Sequence, residues 1–250
     1  MKRLIIYFVL IVFVLPEANA QIWKLKRYEV QGYLGTSQFF GDVGGYSIGD
    51  NLIGIKDFSL NQTRFSAGGF LKYRIQKEVK VKGGISFSFL HATDSKGSNE
   101  NRGFDCSTYV IEPQVMGEYY FLTSKAQSSY LFMRGRSSNL SFFWDQIDVY
   151  GTAGLGGAVY TVKPNDVLNA RIKKDKGFAV TFPVGVGSDL VLNPSMTIGV
   201  ELIVHFALTD YLDGYTSQYS ARNDLFYTFN FNYSYKFSWP VRRRPNGVRF

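Results

Sequence analysis

The stretch Leu225-Phe226-Tyr227-Thr228-Phe229-Asn230-Phe231-Asn232-Tyr233-Ser234-Tyr235-Lys236-Phe237 carries an aromatic or apolar residue at every odd position and mostly polar residues between. Successive side chains of an extended chain point to opposite faces, so this segment is greasy on one side and wet on the other. A soluble sandwich can use such a strand. Large side chains all along one face, with asparagine, serine and lysine opposite, suit lipid outside and a polar lumen inside better. The reading is an all-β fold, a transmembrane antiparallel up-and-down β-barrel of about eight strands, the smallest size usual for outer-membrane barrels.

The N-terminus agrees with export. Lys2 and Arg3 precede the apolar run Leu4 to Leu15, and Ala18-Asn19-Ala20 supplies small residues around a cleavage point. Residues 1–20 are read as a signal peptide, with the mature chain starting at Gln21. As a membrane helix the run is short of the ~20 residues a crossing needs, and Pro16 with Glu17 ends it. Residues 21–250 are read as one barrel domain with a short basic tail, 238–250, because no Pro- or Ser-rich linker divides them.

Composition is consistent with this reading. The chain is 45% hydrophobic and 17% aromatic, yet its mean hydropathy is only −0.09. Integral membrane proteins built from helices do not look like that, whereas in a barrel only alternate residues meet lipid. The lone Cys106 cannot form an internal disulfide. A net charge of +8 invites a nucleic-acid partner, but the cations form no aromatic-interleaved motif, so none is expected. Arg242-Arg243-Arg244, beyond the last strand, suits lipid headgroups or an acidic partner.

Seven further segments share the alternation. Outward faces are predicted for Tyr28, Val30 and Leu34; for Phe65, Ala67, Leu71, Tyr73 and Ile75; for Val79, Val81, Ile85, Phe87 and Phe89; and for Tyr109, Ile111, Val115, Tyr119 and Phe121. Phe178 to Leu190 and Ile198 to Leu208 repeat the pattern, with Glu201 and His205 inward. The segment Ile147 to Val162 is rich in glycine and its parity is ambiguous. Lys72, Arg74, Lys80 and Lys82 fall on inward positions beside Glu29, Glu112 and Glu118, which predicts a salt-bridged polar core rather than a conducting channel.

Connections alternate in length. Gln76-Lys77-Glu78 and Leu192-Asn193-Pro194-Ser195 are tight, whereas Phe40 to Asn61, Ala92 to Asp105, Lys163 to Lys176 and Thr209 to Arg222 are long. Short turns face the periplasm in barrels of this class, which places both termini there. One connection breaks the rule. Leu122 to Gln146 is long although periplasmic, and it carries Arg134, Arg136 and Phe142-Phe143-Trp144. It is read either as a packed floor or as a docking surface. Arg134, Arg136, Trp144, Trp239, Arg242, Arg243 and Arg244 are the candidate partner-binding residues, combining charge-assisted contacts with aromatic anchors.

Catalytic, metal and cofactor sites are not expected. His205 shares strand parity with Glu201 and Thr209, and His91 lies near Ser86, Ser88 and Asp94, but neither spacing is diagnostic of a hydrolase. No carboxylate cluster has metal-ligand spacing. Gly154-Leu155-Gly156-Gly157 lacks the lysine and helix of a phosphate loop.

Gly35-Thr36-Ser37-Gln38-Phe39-Phe40-Gly41-Asp42 resembles the Gly-x-(Ser/Asn)-x-(Tyr/Phe)-Phe-Gly-Asp signature of a Bacteroidota outer-membrane barrel family that includes the PorG-type subunit of type IX secretion systems. Ile85 to Ser95 resembles that family's third strand, and Thr209-Asp210-Tyr211-Leu212-Asp213 its loop after the seventh. The signature residues are thus Phe39, Phe40, Gly41, Asp42, Tyr211, Leu212 and Asp213. The resemblance implies a non-enzymatic outer-membrane anchor for periplasmic ring components, a lipoprotein and its partner. Two alternatives stand beside it: a structural or adhesive barrel acting through its outer loops, and a lipid-modifying enzyme motivated only by the histidines.

Overall fold

The computed structural model describes residues 26–44, 59–94, 100–124, 146–193, 195–216 and 223–238. Eight antiparallel strands close into a barrel in chain order. They are β1 (Tyr28–Phe40), β2 (Arg64–Arg74), β3 (Val79–Thr93), β4 (Asp105–Leu122), β5 (Ile147–Pro164), β6 (Lys176–Asn193), β7 (Met196–Ala207) and β8 (Leu225–Phe237). Each strand pairs with its sequence neighbours, and β1 closes the ring on β8 from Tyr28↔Phe237 to Phe40↔Leu225. The segment quoted at the outset therefore forms the seam of the barrel, and no strand edge is left unpaired.

The alternation decides what faces out. Phe229, Phe231, Tyr233 and Tyr235 are exposed on β8, while Thr228, Asn230, Asn232 and Ser234 are buried. The same division holds for the predicted outward faces of β2, β3 and β4. A soluble fold does not leave such a continuous apolar band in water; a bilayer-spanning barrel needs one. Aromatic rings gather at both edges of the band. Tyr28 contacts Tyr73 and Phe237 near one end, with centroids 5.2 and 5.9 Å apart. Phe89 contacts Phe65 and Tyr109 near the other, at 6.5 and 5.2 Å.

Short connections join β2 to β3 and β6 to β7 at the end where β1 begins and β8 finishes; this is the turn end. The long connections lie at the opposite, loop end. The β4–β5 connection does emerge at the turn end, as its sequence position implied. Its first residues tuck inward: Ser124 is buried and its backbone N–H donates to Asp148 Oδ1 at 2.5 Å.

The glycine-rich β5 resolves to Asp148, Tyr150, Thr152, Ala158, Tyr160 and Val162 inward, with Leu155 and Val159 outward. Small residues on neighbouring strands make room for its large inward ones. A Cβ on Gly187 would lie 2.5 Å from Tyr150 Oη, so the tyrosine ring would have to move.

Candidate functional site

The lumen is stratified. Its layer near the turn end is charged and buried, with Lys72, Lys80, Lys82, Glu29, Glu118 and Glu201 all at most 3% exposed. Strand parity aims these long side chains inward, and the barrel is narrow enough for them to meet. Lys72 Nζ lies 2.7 Å from Glu118 Oε1, and Lys82 Nζ lies 3.2 Å from the same oxygen and 2.5 Å from Glu201 Oε1. Lys80 Nζ donates to Glu29 Oε2 at 2.9 Å. Tyr120 and Tyr150 pack at 4.9 Å between centroids. Lys80 and Lys72 sit 4.6 and 5.4 Å from these two rings respectively. Opposite charges and aromatic faces together replace the hydration these ammonium groups have lost.

The expected pairing of Glu112 with the lysines of β2 and β3 is corrected. Glu112 lies further toward the loop end, where its Oε2 is 2.9 Å from His205 Nδ1 and its Oε1 accepts from Thr181 Oγ1. The rise along β4 separates Glu112 from Glu118, so the lysines reach only the latter. Glu201, inward on β7, takes the place that had been given to Glu112.

His205 is held on both ring nitrogens, with Nε2 3.2 Å from Thr228 Oγ1, and its ring stacks on Phe226 at 4.3 Å. The order Thr228–His205–Glu112 is that of a hydrolytic relay. Yet all three side chains are at most 2% exposed. They share the packed interior and form a buried polar contact between β4, β7 and β8. The grouping of His91 with Ser86 and Ser88, which the sequence offered without diagnostic spacing, does not form. His91 faces outward, with Nδ1 3.2 Å from Ser107 Oγ, whereas Ser86 and Ser88 point into the lumen. Among the described residues no three His, Cys, Asp or Glu side chains are grouped to hold a metal ion.

The expectation of a wholly polar core is corrected at the loop end. There Phe39, Val43, Leu90, Phe104, Val110, Tyr160, Leu168, Leu212 and Phe226 form one buried apolar cluster that also takes in Cys106. Inward positions switch from polar to apolar near the loop-end strand termini, and residues from four long connections, Val43, Phe104, Leu168 and Leu212, insert among them. Thus the barrel is filled by charge at one end and corked by hydrocarbon at the other.

A polar network fastens the cork. Asp213 Oδ2 accepts from Val43 N at 3.1 Å and Asp213 Oδ1 from Tyr215 N at 2.9 Å. Asp224 Oδ2 accepts from Leu212 N at 2.7 Å. Asp94 Oδ1 accepts from Gly44 N at 2.8 Å, and both its oxygens receive the Arg102 guanidinium. Arg102 also donates to the Asp42 carbonyl at 2.8 Å. Burial pushes the Asp213 carboxyl up to about 7. It raises Asp224 well above the usual carboxylate range, and the Asp213 charge adds to that rise.

Two of the stretches that carry the sequence resemblance, Gly35 to Asp42 and Thr209 to Asp213, meet here although far apart in sequence. Phe39 and Leu212 share the apolar cluster, Tyr211 packs against it, and Asp213 binds the backbone just past Gly41-Asp42. Phe40 lies on the outer side, edge-on to Tyr227 with centroids 5.1 Å apart. The signature is therefore the clasp of the cap. Of the candidate docking residues, Arg134, Arg136, Trp144, Trp239, Arg242, Arg243 and Arg244 lie outside the described residues. So does the signal peptide, residues 1–20. Lys82–Glu201, Asp94–Arg102 and Asp224 escaped the sequence reading; inward parity on β7 was the available signal for the first, and the loop contacts left none.

No protein-family model and no curated protein sequence matches the chain. Among solved structures, it is similar to the N-terminal β-barrel domain of Pseudomonas aeruginosa OprF at 10% identity and a TM-score of 0.45, covering 85% of this chain and 99% of that one. It is similar to Ail, the attachment invasion locus protein of Yersinia pestis, solved with the heparin analogue sucrose octasulfate, at 12% identity and a TM-score of 0.43, covering 85% and 99%. Outer Membrane Protein W of E. coli matches at 14% identity and a TM-score of 0.39, covering 85% and 98%. None of these similarities brings a ligand or an activity to this chain, and its assignment as a closed, eight-stranded membrane barrel rests on its own strand ladder and apolar belt.

Proposed function

We propose that the protein is a non-enzymatic outer-membrane barrel that anchors or organises an envelope assembly, with its loop end outward and both termini periplasmic. The observation that carries this reading is the interior. Salt-bridged side chains fill one half of the lumen and an apolar cluster corks the other. The surfaces left to act are the lipid-facing wall and the two rims. The turn-end rim bears the long β4–β5 connection and the basic tail, which suits docking of an acidic periplasmic partner.

The sequence resemblance narrows the assembly to type IX secretion, with a periplasmic ring lipoprotein and its partner as the bound components. Deleting Val241 to Phe250 spares β8, so the barrel is expected to assemble. The truncated protein is expected to lose its periplasmic partner on purification from native envelopes, together with export of the system's cargo. Unchanged partner recovery and unchanged export eliminate the tail from the mechanism. A second reading, a structural or adhesive barrel acting through its outer loops, draws on the ordered cap. Loss of cell-surface adhesion after disruption of the cap, with the turn end intact, favours that reading.

A further inference from the structure

The described cations at the loop end concentrate on one sector. The β5–β6 connection and its flanks carry Lys163, Arg171, Lys173, Lys174 and Lys176, all exposed, against Asp166 and Asp175. This segment is pinned in place. Asn165 caps the single helical turn α1 (Asp166–Asn169) by accepting from Leu168 N at 2.9 Å, and its side-chain amide donates to the Gly103 carbonyl at 2.9 Å. Leu168 is fully buried in the apolar cluster, with Ile172 packed against it. Lys173 N donates to the Gly214 carbonyl at 2.9 Å. The charges therefore stand on a fixed platform, which lowers the ordering cost of binding.

Their height is also fixed. Lys163 Nζ lies 4.7 Å from the centroid of Tyr109, a ring of the loop-end aromatic girdle. Thr161 pairs with Lys176, and strand parity turns Lys163 and Lys176 outward, above the exposed side chains of Val159 and Phe178. Girdle rings mark the level of the lipid headgroups, so these ammonium groups stand where headgroup phosphates lie.

We propose that this sector is a binding site for the phosphate groups of outer-leaflet glycolipid, with Lys163, Arg171 and Lys176 as its principal cations. The occupant is a membrane lipid rather than a soluble polyanion, because two of the three cations are on the outer wall of the strands at girdle height. The assignment to the outer leaflet rests on the orientation given above; phosphate binding itself does not.

The full-length barrel, exchanged into phosphatidylcholine nanodiscs doped with diphosphoryl lipid A or its dephosphorylated form, is examined by native mass spectrometry for retained lipid. Preferential retention of the phosphorylated form is expected. It should weaken roughly fivefold for each cation removed, so the Lys163→Gln/Arg171→Gln/Lys176→Gln variant loses roughly a hundredfold, while Lys77→Gln at the turn end changes nothing. Heat-modifiable gel mobility verifies that each variant is folded. Raising the salt concentration on the unmodified protein repeats the test without mutation and is expected to erase the preference. Equal retention of the two lipids, a preference indifferent to salt, or tighter binding of soluble sucrose octasulfate than of the phosphorylated lipid overturns the proposal. Orientation is read separately, by labelling Asn169→Cys on intact cells with a membrane-impermeant maleimide. Labelling supports the outer-leaflet assignment; failure to label, with lipid retention intact, overturns the orientation and spares the phosphate site.

Discussion

Replacing Glu118 by glutamine tests whether the charged layer is a coupled unit. The Glu118 carboxylate is the acceptor for two buried ammonium groups, at 2.7 Å from Lys72 and 3.2 Å from Lys82, and for the Tyr120 hydroxyl at 2.9 Å. Breaking a buried pair by neutralising one partner costs about 3–5 kcal/mol, because the other charge remains in low dielectric. Lys82 keeps Glu201, which leaves Lys72 as the main uncompensated charge and puts the expected loss near the lower figure. The double variant Lys72→Met/Glu118→Met removes both charges and leaves Lys82 on Glu201. Its loss should be about 1 kcal/mol, set by the orphaned Tyr120 hydroxyl. Equilibrium urea unfolding from phosphatidylcholine vesicles, followed by tryptophan fluorescence, measures both. A loss below about 1 kcal/mol for Glu118→Gln, or a double variant equal to the sum of its single replacements, refutes the coupling.

Other expectations follow from the wall and the cap. Phe87 faces out and Ser86 in, so Phe87→Lys should cost about 2–4 kcal/mol in the same unfolding assay, as lysine does on a lipid-facing wall. Ser86→Lys, which places its ammonium beside Glu112, is expected to cost less; the reverse order contradicts the register. In the cap, the raised carboxyls of Asp213 and Asp224 mean that the folded state holds protons the unfolded state has released. Their contribution is complete below the unfolded carboxylate range and is lost as pH rises through about 7. Amide hydrogen exchange at Val43, Leu212 and Tyr215, corrected for intrinsic rate, should therefore accelerate as pH rises, and Asp224→Asn should flatten that dependence. Gly44 has φ +80, and a Cβ there would lie 2.8 Å from the Thr93 carbonyl oxygen. Gly44→Ala should destabilise the cap by about 1–2 kcal/mol, read as faster exchange at Val43 with unchanged exchange in β4 and β5.

Strand parity was legible because lipid and lumen demand opposite chemistries at neighbouring positions. Phe87 beside Ser86 and Leu71 beside Lys72 leave a single register that satisfies both. On β5 the sequence is silent, since Gly151, Gly154, Gly156 and Gly157 offer neither size nor polarity to sort. Parity also located the charged layer without its partners, because which carboxylate a lysine reaches depends on strand tilt and on height across the barrel. Lys82 finds Glu201 from the opposite wall, a contact with no local trace. The apolar cork was missed for a related reason. Leu90, Val110 and Phe226 occupy inward positions where alternation predicts polar residues, and they read as irregularities until the loops that cover them are placed. The signature residues were visible as a pattern, but their role as a clasp appears only when Val43 and Asp213 are seen in contact.

The Lys82–Glu201 bond joins β3 to β7 across the bore, while Lys80 ties β3 to Glu29 on β1, beside the seam. A hollow tube flattens easily under side load; one with a diametral tie does not, since any widening stretches the tie and any slip of the seam pulls Glu29 off Lys80. The consequence is mechanical. The last ladder to close cannot settle one residue out of step, since that shift would carry Glu29 to the lipid side and strand an ammonium group in the dark. The charged layer therefore acts as a gauge that accepts only the correctly sized ring, and once closed the ring resists being pulled open sideways.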